Sequence, residues 1–205
     1  MPEAENQPDW SAFALVLIDV QRDFWPAPIS SHFPLLETRI TQLLAFCRSA
    51  GIEVIHLRAA FAPDRSDWMA KYKLSGHVPC VRDTAGIAVL PCAAAVPGEL
   101  VIEKTVFDGF HTPRLLAHLR QRSKRFLLTA GIETSVCVLF TTASAAQLGF
   151  LTAVVEDCCA DQPEKHASAL NGYPFVFERT TVDALTACHS DWLAKLATLE
   201  PRAGA

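Results

Sequence analysis

Apolar runs typical of buried strands alternate with segments of helical periodicity along this chain. The run FALVLIDV at 13–20 is almost continuously apolar, as expected of a strand covered on both faces of a parallel sheet. Residues 34–51 instead repeat apolar side chains at helical spacing and end at Gly51, a residue type that often terminates helices. The same criteria predict further strands at 52–58, 99–104, 125–130, 150–157 and 175–179, and further helices at 112–122, 134–149, 163–172 and 182–199.

This alternation favours an α/β fold. Parallel strands need crossover connections, usually helices, so we expect three α/β/α layers around a six-stranded parallel sheet. A length of 205 residues suits a single domain, 1–205, in which residues 1–11 form a flexible acidic tail. The connection 59–98 is too long for an idle loop and lacks strong periodicity, so we expect it to cover the active-site end of the sheet.

Composition excludes several classes of partner. The chain has 18 basic and 22 acidic residues, a net charge of −4, and its basic run RQRSKR at 120–125 is best explained as a solvated helix end. We therefore expect no nucleic-acid partner. The first residues lack the pattern of a secretory signal, and no apolar run approaches the roughly 20 residues that span a bilayer. These features predict a soluble cytoplasmic protein that does not bind membranes.

The seven cysteines follow neither a disulfide nor a zinc pattern. Their number is odd and none of them form a C-x-x-C pair, which argues against a disulfide framework and against a four-thiolate zinc site. Cys47 and Cys188 lie on helical patterns and are interpreted as small core residues, as is Cys159. Cys137 would join this group if its position relative to the predicted sheet did not single it out.

Three reactive side chains are predicted at the same edge of the sheet. In open α/β sheets, ligands bind beyond the carboxyl ends of the strands. Asp19 closes the first strand, Lys104 closes the third, and Cys137 follows the fourth in the first turn of a helix. Apolar neighbours make the Asp19 position costly for an unpaired carboxylate, and Lys104 would supply the opposite charge. We therefore predict that these three residues form a catalytic trio.

These residue types fit acyl transfer through a thioester. A free thiol is only roughly a few per cent thiolate near neutrality, and both the helix start and a neighbouring ammonium group should favour the anion. Asp19 can take the thiol proton as general base and return it to a leaving amine as general acid. Backbone N–H groups around the helix start can bind the tetrahedral oxyanion, and water then completes the reaction.

Four segments resemble the isochorismatase-like cysteine hydrolases: ALVLIDVQRDF at 14–24, VIEKTVFDGFHTPRLLAHLR at 101–120, GIETSVCVLFTTASAAQLGF at 131–150 and VVEDCCAD at 154–161. The resemblance extends over most of the chain. It implies that Asp19, Lys104 and Cys137 are the catalytic triad. It also implies a parallel sheet with the strand order 3-2-1-4-5-6 and assembly into a homodimer or homotetramer.

The resemblance further implies a non-proline cis peptide bond between Ile132 and Glu133. The backbone N–H of Glu133 would then face the oxyanion beside that of Cys137, and Thr134 would serve as the helix N-cap. The backbone N–H groups of Glu133 and Cys137 are therefore the expected oxyanion hole.

Two features narrow the reaction within this resemblance. Isochorismatases do not use a cysteine nucleophile, so Cys137 favours the amide-cleaving branch. Nicotinamidases carry an Asp-x-His pair and a second His that bind a metal after the second strand, whereas residues 56–68 here, HLRAAFAPDRSDW, lack that pair. His56 is interpreted as a packed core histidine, and His77 stands alone. We therefore expect no metal and no other cofactor, and a nicotinamidase is disfavoured.

The predicted activity is a metal-free hydrolysis of a small amide, carbamoyl or ureido compound. The hydrolases of N-carbamoylsarcosine, biuret and ureidoacrylate are the nearest named activities. Phe24, Phe110 and Trp68 are candidates for the pocket wall, and ordinary packing is the alternative for each. Arg58, at the end of the second strand, is a candidate for binding a substrate carboxylate, and a surface charge is its alternative.

Two functions of other classes stay open at this point. The first is a binding or scaffold protein that keeps the fold without turnover, although such a protein would be free to lose any member of the trio. The second is a thiol redox sensor in which Cys137 is oxidised reversibly. Such a sensor usually needs a second cysteine, and Cys158 is the candidate that the fold could bring near.

Overall fold

Six parallel strands form one sheet in the order β3-β2-β1-β4-β5-β6, which confirms the expected fold class and strand order. The computed structural model describes residues 8–199 of the chain. Every residue of the first and fourth strands is buried, because these central strands are covered on both faces. The strands are β1 Phe13–Ile18, β2 Glu53–Ala59, β3 Leu100–Lys104, β4 Phe126–Ile132, β5 Leu151–Ala160 and β6 Glu178–Thr180.

Helices flank the sheet. They are α1 Ala27–Ser30, α2 Leu36–Ala50, α3 Ala70–Ser75, α4 Pro113–Gln121, α5 Leu139–Gln147, α6 Pro163–Gly172 and α7 Leu185–Thr198, and a π-helical turn, Thr134–Val138, leads directly into α5. Helix α2 ends as its sequence predicts, at Gly51 in the left-handed conformation. Among residues 8–199, no helix combines the length and the apolar composition that a membrane span requires.

Most strand boundaries differ by one or two residues from the sequence prediction, and the ends of three strands are informative. β1 ends at Ile18, because Asp19 takes a left-handed backbone conformation with φ of 51° and so leaves the extended strand. β5 continues to Ala160, and its pairing with β4 shifts register beyond Thr129. β6 covers three residues only, since the apolar residues predicted to begin it fold into a turn that exposes 85% of Phe175.

The predicted flexible tail, residues 1–11, is wrong for its last residues. Trp10 is 4% exposed, and its ring packs against Phe13, Phe46 and His189. The His189 imidazole also hydrogen-bonds to the carbonyl of Asp9 at 2.8 Å. The large apolar area of an indole ring explains why this segment docks onto the core. Residues 1–7 lie outside the described part of the chain.

The long connection 59–98 is anchored to the end of β1. It contains α3 and two short 3₁₀ turns, Ala85–Ile87 and Pro91–Ala93. The buried amide of Gln21 donates from Nε2 to the carbonyls of Ala59 and Ile87, both at 2.9 Å. Gln21 Oε1 accepts a hydrogen bond from the N–H of Ala59, also at 2.9 Å. One side chain therefore joins the end of β1 to the start of this connection, Ala59, and to Ile87 in its second half.

A small apolar cluster lies beneath the same connection. Its buried members are Ala59, Phe61, Val78 and Cys80. The N–H of Cys80 donates to Asp23 Oδ2 at 2.7 Å, and the N–H of Phe61 donates to the carbonyl of Cys80 at 3.1 Å. The chain therefore leaves the end of β2 at Phe61 and comes back beside Phe61 at Cys80.

β1 and β4 approach each other closely at Gly131, beside the predicted site. Gly131 pairs with Ile18 and has a φ of 129°, a conformation that other residues rarely adopt. A Cβ atom at Gly131 would lie 1.9 Å from the carbonyl oxygen of Ile18, so no side chain fits without a shift of the backbone.

We expect Gly131→Ala to lower the free energy of unfolding by about 3 kcal/mol or more, because it combines overpacking with a strained backbone. Gly172→Ala is the matched control, since a Cβ atom there meets nothing within 4 Å. That control should leave stability unchanged or raise it by about 0.5–1 kcal/mol. Urea unfolding followed by circular dichroism measures both, and equal stability of the two variants would contradict the close approach.

Candidate active site

Asp19, Lys104 and Cys137 meet in the interior at the carboxyl ends of β1, β3 and β4. The Lys104 ammonium group donates to Asp19 Oδ2 at 2.6 Å and to Cys137 Sγ at 3.4 Å. The side chains of Lys104 and Asp19 are 1% and 0% exposed, and Cys137 is 5% exposed. The structure therefore brings together the three residues that the sequence analysis singled out.

The ammonium group of Lys104 is fully bound. Its third hydrogen bond goes to the carbonyl of Val106 at 3.0 Å, so each of its three N–H groups has an acceptor. Burial, the largest single effect, would lower the pKa of Lys104, but Asp19 and Cys137 together outweigh burial and raise it. Lys104 is therefore a fixed positive charge.

Asp19 presents one oxygen that the protein leaves open. Oδ2 is bound to Lys104, whereas Oδ1 is buried without a hydrogen-bond partner among the described residues. The backbone of Asp19 is held in its left-handed conformation by a 2.9 Å hydrogen bond from its N–H to the carbonyl of Leu57. Non-glycine residues in this conformation are uncommon and cluster at functional sites. Oδ1 is available for a proton.

The environment of the Cys137 thiol opposes the anion that the helix start and Lys104 were expected to favour. Burial raises the pKa of Cys137 well above its ordinary value, the Asp19 carboxylate raises it further, and Lys104 opposes both. The helix start does not reverse this balance, since a carboxylate already occupies it. The resting thiol is therefore protonated, and a base must remove its proton before sulfur can attack.

That carboxylate belongs to Asp161. Its Oδ2 accepts hydrogen bonds from the N–H and the hydroxyl of Ser135, at 2.9 and 2.6 Å, although 26 residues separate the two. Thr134 is not the helix N-cap as predicted. Its hydroxyl instead hydrogen-bonds to His166 Nδ1 at 2.8 Å, and the cap position of the π turn is Glu133.

The peptide bond between Ile132 and Glu133 is cis, as the resemblance implied. The carbonyl of Glu133 accepts hydrogen bonds from the N–H groups of Val136 and Val138, both at 3.2 Å, which fixes the residue at the start of the π turn. The Glu133 side chain is half-buried. Burial, and then the charge of Asp161, raises the pKa of its carboxyl group.

Tyr72 of α3 is a site residue that the sequence analysis missed. Its ring packs edge-on against Phe61 at 5.4 Å and against Phe107 at 6.1 Å. Burial raises the pKa of Tyr72 to about 12, and the ionised forms of Cys137 and Glu133 add to this effect. The long connection therefore brings this ring against Phe107, which follows Lys104 by three residues. One tyrosine in the short polar segment AKYKLS was the only available signal.

Two of the predicted pocket residues pack near this connection. Phe24 lies between the main core and the small apolar cluster. Trp68 packs on the same cluster, and its indole N–H donates to the carbonyl of Ala62 at 2.8 Å. The guanidinium group of Arg65 stacks over the Trp68 ring at 4.9 Å. Both aromatic residues support the connection on which Tyr72 is carried.

The other two predicted pocket residues lie elsewhere. The Phe110 ring is 6.0 Å from that of Phe150, which precedes β5 at the amino end of the sheet. Asp108 causes this placement, because it accepts a hydrogen bond from the Phe110 N–H and turns the chain away after Lys104. Arg58 lines a small cavity that the trio does not reach, and burial lowers the pKa of its guanidinium group.

His56, in the segment where a metal site was considered, has another role. His56 is 2% exposed and bonds to Glu99 at 2.9 Å, as expected of a packed core histidine. No group of three or more potential metal ligands occurs within residues 8–199. A cavity of about 510 Å³ lies between α2, β5 and α6, and none of the trio lines it.

Comparison with known proteins identifies the family of this chain. A family model described as "Isochorismatase domain" matches residues 13–184, which include the whole trio. The chain belongs to the isochorismatase family. This isochorismatase-family protein is 26% identical over 155 residues to the ureidoacrylate amidohydrolase RutB of Methylorubrum extorquens, a match that covers 63% of the chain and 62% of the relative. The chain thus spans less than two thirds of that relative's length.

Other members of the isochorismatase family match over more of their length. The chain is 27% identical over 176 residues to the uncharacterized isochorismatase family protein YecD of Escherichia coli O157:H7, covering 84% of the chain and 93% of that protein. An isochorismatase family protein from Desulfovibrio vulgaris superimposes with a TM-score of 0.77 at 29% identity, covering 89% and 98% of the two chains. N-carbamoylsarcosine amidase from Thermoplasma acidophilum shares the fold, with a TM-score of 0.70 at 21% identity over 83% and 96%.

The protonated thiol generates a prediction about alkylation. Iodoacetamide should modify Cys137 slowly at neutral pH and faster as the pH rises, because only the thiolate reacts. Asp19→Asn removes a charge that raises the Cys137 pKa, so the pH profile should move to lower pH by about one unit or more. Lys104→Met should move it in the opposite direction. Mass spectrometry of the peptide that contains Cys137 provides the rates, and an unmoved profile in Asp19→Asn would show that Asp19 does not control this proton.

Proposed function

We propose that this protein is a metal-independent cysteine hydrolase that cleaves the C–N bond of a small amide, carbamoyl or ureido compound through a thioester. The observation that carries the proposal is the buried arrangement in which one lysine binds both the carboxylate of Asp19 and the thiol of Cys137. The similarity to proteins named ureidoacrylate amidohydrolase and N-carbamoylsarcosine amidase supports the type of bond. Both names describe cleavage next to a carbonyl that bears nitrogen.

In the first half-reaction, Oδ1 of Asp19 accepts the proton of the Cys137 thiol while sulfur adds to the substrate carbonyl. The carbonyl π bond becomes the lone pair of an oxyanion, and a C–S bond forms. When the tetrahedral intermediate collapses, the C–N bond breaks and the leaving nitrogen takes the proton from Asp19. The products of this step are the free amine or ammonia and a thioester at Cys137.

In the second half-reaction, water replaces the amine. Asp19 accepts a proton from the water as its oxygen adds to the thioester carbonyl. The C–S bond then breaks, Cys137 leaves as thiolate and recovers the proton from Asp19, and the acid product departs. Lys104 keeps its charge throughout, so it stabilises whichever of Asp19 and Cys137 is negative at each step.

The oxyanion is proposed to bind the backbone N–H groups of Glu133 and Cys137. Both belong to the turn that follows β4, and preorganised backbone donors stabilise such an intermediate without rearrangement. Asp161 holds this turn from outside through Ser135, which keeps the donors in place as charge develops. A side-chain substitution at Glu133 leaves its backbone N–H in place, so such a variant does not test this role.

Substitutions should separate the roles in the trio. A suitable substrate is first found by measuring ammonia release from a panel of primary amides and carbamoyl compounds. We expect Cys137→Ala to reduce kcat to background, Cys137→Ser to be nearly inert because an alcohol has a much higher pKa than a thiol, and Asp19→Asn to lose proton transfer in both half-reactions. Because the trio acts as a unit, Asp19→Asn combined with Cys137→Ala should be hardly worse than either change alone.

The matched control is Cys188→Ala, which removes a half-buried thiol on α7 and should leave kcat unchanged. Lys104→Ala should abolish activity and also destabilise the fold by about 3–5 kcal/mol, since it leaves Asp19 buried without its partner. Retention of most of the activity by Cys137→Ala would refute the covalent mechanism.

Amidase activity should survive exhaustive treatment with a chelator. The residues after β2 lack ligand spacing, and His56 is already bound to Glu99. The measurement compares the rate of ammonia release before and after dialysis against EDTA, with a zinc hydrolase treated in parallel as the positive control. Loss of activity that zinc or manganese restores would require a metal in the reaction.

A further inference from the structure

A cavity separate from the trio lies on the β5–β6 side of the sheet. It has a volume of about 510 Å³, and residues from the start of α2, from β5, from α6 and from β6 line it. Volumes of this size are typical of pockets that enclose a small organic molecule. Because no member of the trio lines the cavity, its ligand is a molecule other than the one that reacts at Cys137.

Part of the cavity lining is apolar. Leu36 at the start of α2 and Leu170 on α6 both line it, and they are 2% and 4% exposed. Phe33, just before α2, lines it as well, and its ring packs edge-on against the His166 imidazole at 4.9 Å. Removing apolar surface from water is favourable by roughly 25 cal/mol for each Å². We therefore expect the body of the ligand to be apolar or aromatic.

Arg39 of α2 lines the cavity and is held in place by neighbouring side chains. Its Nη1 donates to Gln42 at 3.0 Å and to Asp183 at 3.1 Å. Its Nε lies 3.4 Å from the Asp157 carboxylate. Among residues 8–199, its Nη2 group has no hydrogen-bond partner. The protein therefore orients this guanidinium group and leaves one of its NH2 groups open.

Arg179 of β6, which also lines the cavity, has the same arrangement. Its Nε donates to Glu156, and its Nη1 donates to the side-chain oxygen of Asn171 at 2.7 Å. In the part of the chain that the structure describes, neither Nη2 of Arg179 nor the NH2 group of Asn171 has a hydrogen-bond partner. Donors that the protein has already oriented lose little side-chain entropy when they bind an acceptor.

The charges of the lining favour a ligand with a single negative charge. The two guanidinium groups are balanced by Glu156 and Asp157, so the lining has no net charge when its histidines are neutral. A dianion such as a phosphate ester would meet both carboxylates, whereas one carboxylate group matches the planar guanidinium donors. A cation is the alternative, through the second oxygen of Glu156, but three open NH2 groups oppose it.

A hydrogen bond joins this cavity to the turn that carries Cys137. His166 lines the cavity, and its Nδ1 lies 2.8 Å from the hydroxyl of Thr134. Thr134 is the first residue of the π turn that contains Cys137. Because Cys137 is 5% exposed, a reagent reaches its sulfur chiefly through local opening. A ligand that binds only the closed arrangement lowers the population of the open one.

We propose that this cavity binds a small organic monoanion, a carboxylate attached to an apolar or aromatic body, and that the bound ligand holds the turn of Cys137 closed. The carboxylate accepts hydrogen bonds from the open NH2 groups of the two arginines, and the body packs on Phe33 and Leu170. The site is separate from the trio, and the inference does not depend on the proposed hydrolase function.

Four probes without an amide bond test the ligand class by calorimetry on the wild-type protein: 3-phenylpropanoate, 3-phenylpropan-1-ol, 3-phenylpropan-1-amine and acetate. 3-Phenylpropanoate should bind more tightly than each of the others by about tenfold or more, because it alone has both the charge and the body. Arg179→Met should weaken its binding by about tenfold. The matched control is Arg120→Met at an exposed position of α4, outside the cavity, which should leave binding unchanged.

Alkylation of Cys137 by iodoacetamide measures the effect on the turn. At about ten times Kd, 3-phenylpropanoate should slow alkylation of the wild-type protein by at least about threefold, with a limit of about tenfold. Arg179→Met should lose this protection, which a probe bound at the trio itself would retain. His166→Phe keeps a ring beside Phe33 but removes the bond to Thr134, so it should bind the probe and be protected less.

The outcomes separate the site from its effect. No binding of 3-phenylpropanoate, equal or tighter binding of the amine, or unchanged binding to Arg179→Met would overturn the proposed site. An alkylation rate that the bound probe does not change, or full protection in His166→Phe, would overturn the proposed action on Cys137 through His166.

Discussion

A single buried ammonium group connects three strands of this sheet. Lys104 ends β3, yet its hydrogen bonds reach Asp19 after β1 and Cys137 after β4, across the full width of β2 and β1. Removing two opposite charges from water is costly, and the loss is offset only when geometry is good and the remaining protons are bound. The third bond, to Val106, completes that requirement. The register of β2 with β3, in which Ala59 pairs with Lys104, is therefore tied to the chemistry of the site.

The same burial determines how the thiol is used. A dry environment strengthens the attraction between Lys104 and Asp19, and it also keeps Cys137 protonated. The molecule thus holds a base and a neutral thiol side by side rather than a stored thiolate. Asp161 contributes to this state, because its carboxylate sits at the helix start where the backbone dipole would otherwise favour a negative sulfur. Charge then develops at sulfur only as the proton moves.

The sequence predicted the features of the fold and the site that depend on local patterns of residues. Continuous apolar runs such as residues 13–20 identified the strands, and the reactive residues at strand ends pointed to Asp19, Lys104 and Cys137, because the carboxyl ends of parallel strands share one edge. The cis bond and the strand order came from the family resemblance. Local pattern failed where contacts join distant residues. Nothing near Ser135 indicates that Asp161 binds it.

Two site assignments show the physical reason for such failures. Phe110 follows Lys104 closely in sequence, but the side chain of Asp108 turns the backbone first and sends that ring to the amino end of the sheet. Tyr72 lies 32 residues before Lys104 by their numbering, but the hydrogen bonds of Gln21 bring its connection back to the strand ends. In both cases the hydrogen bonds of one polar side chain redirect the main chain, and the periodicity of apolar residues does not predict such bonds.

Backbone hydrogen bonds join the two ends of one segment of the long connection, so this segment can be replaced without disturbing the sheet. Phe61 and Cys80 are joined by a backbone hydrogen bond, and the N–H of Arg82 returns one to the carbonyl of Phe61 at 2.9 Å. The segment between them, which carries α3 and Tyr72, is held at both ends by contacts that do not involve its own middle. The length and the side chains of such a segment can change, in evolution or by design, while the strand ends keep their spacing. One fold can therefore acquire a new pocket wall without rebuilding the residues that perform the chemistry.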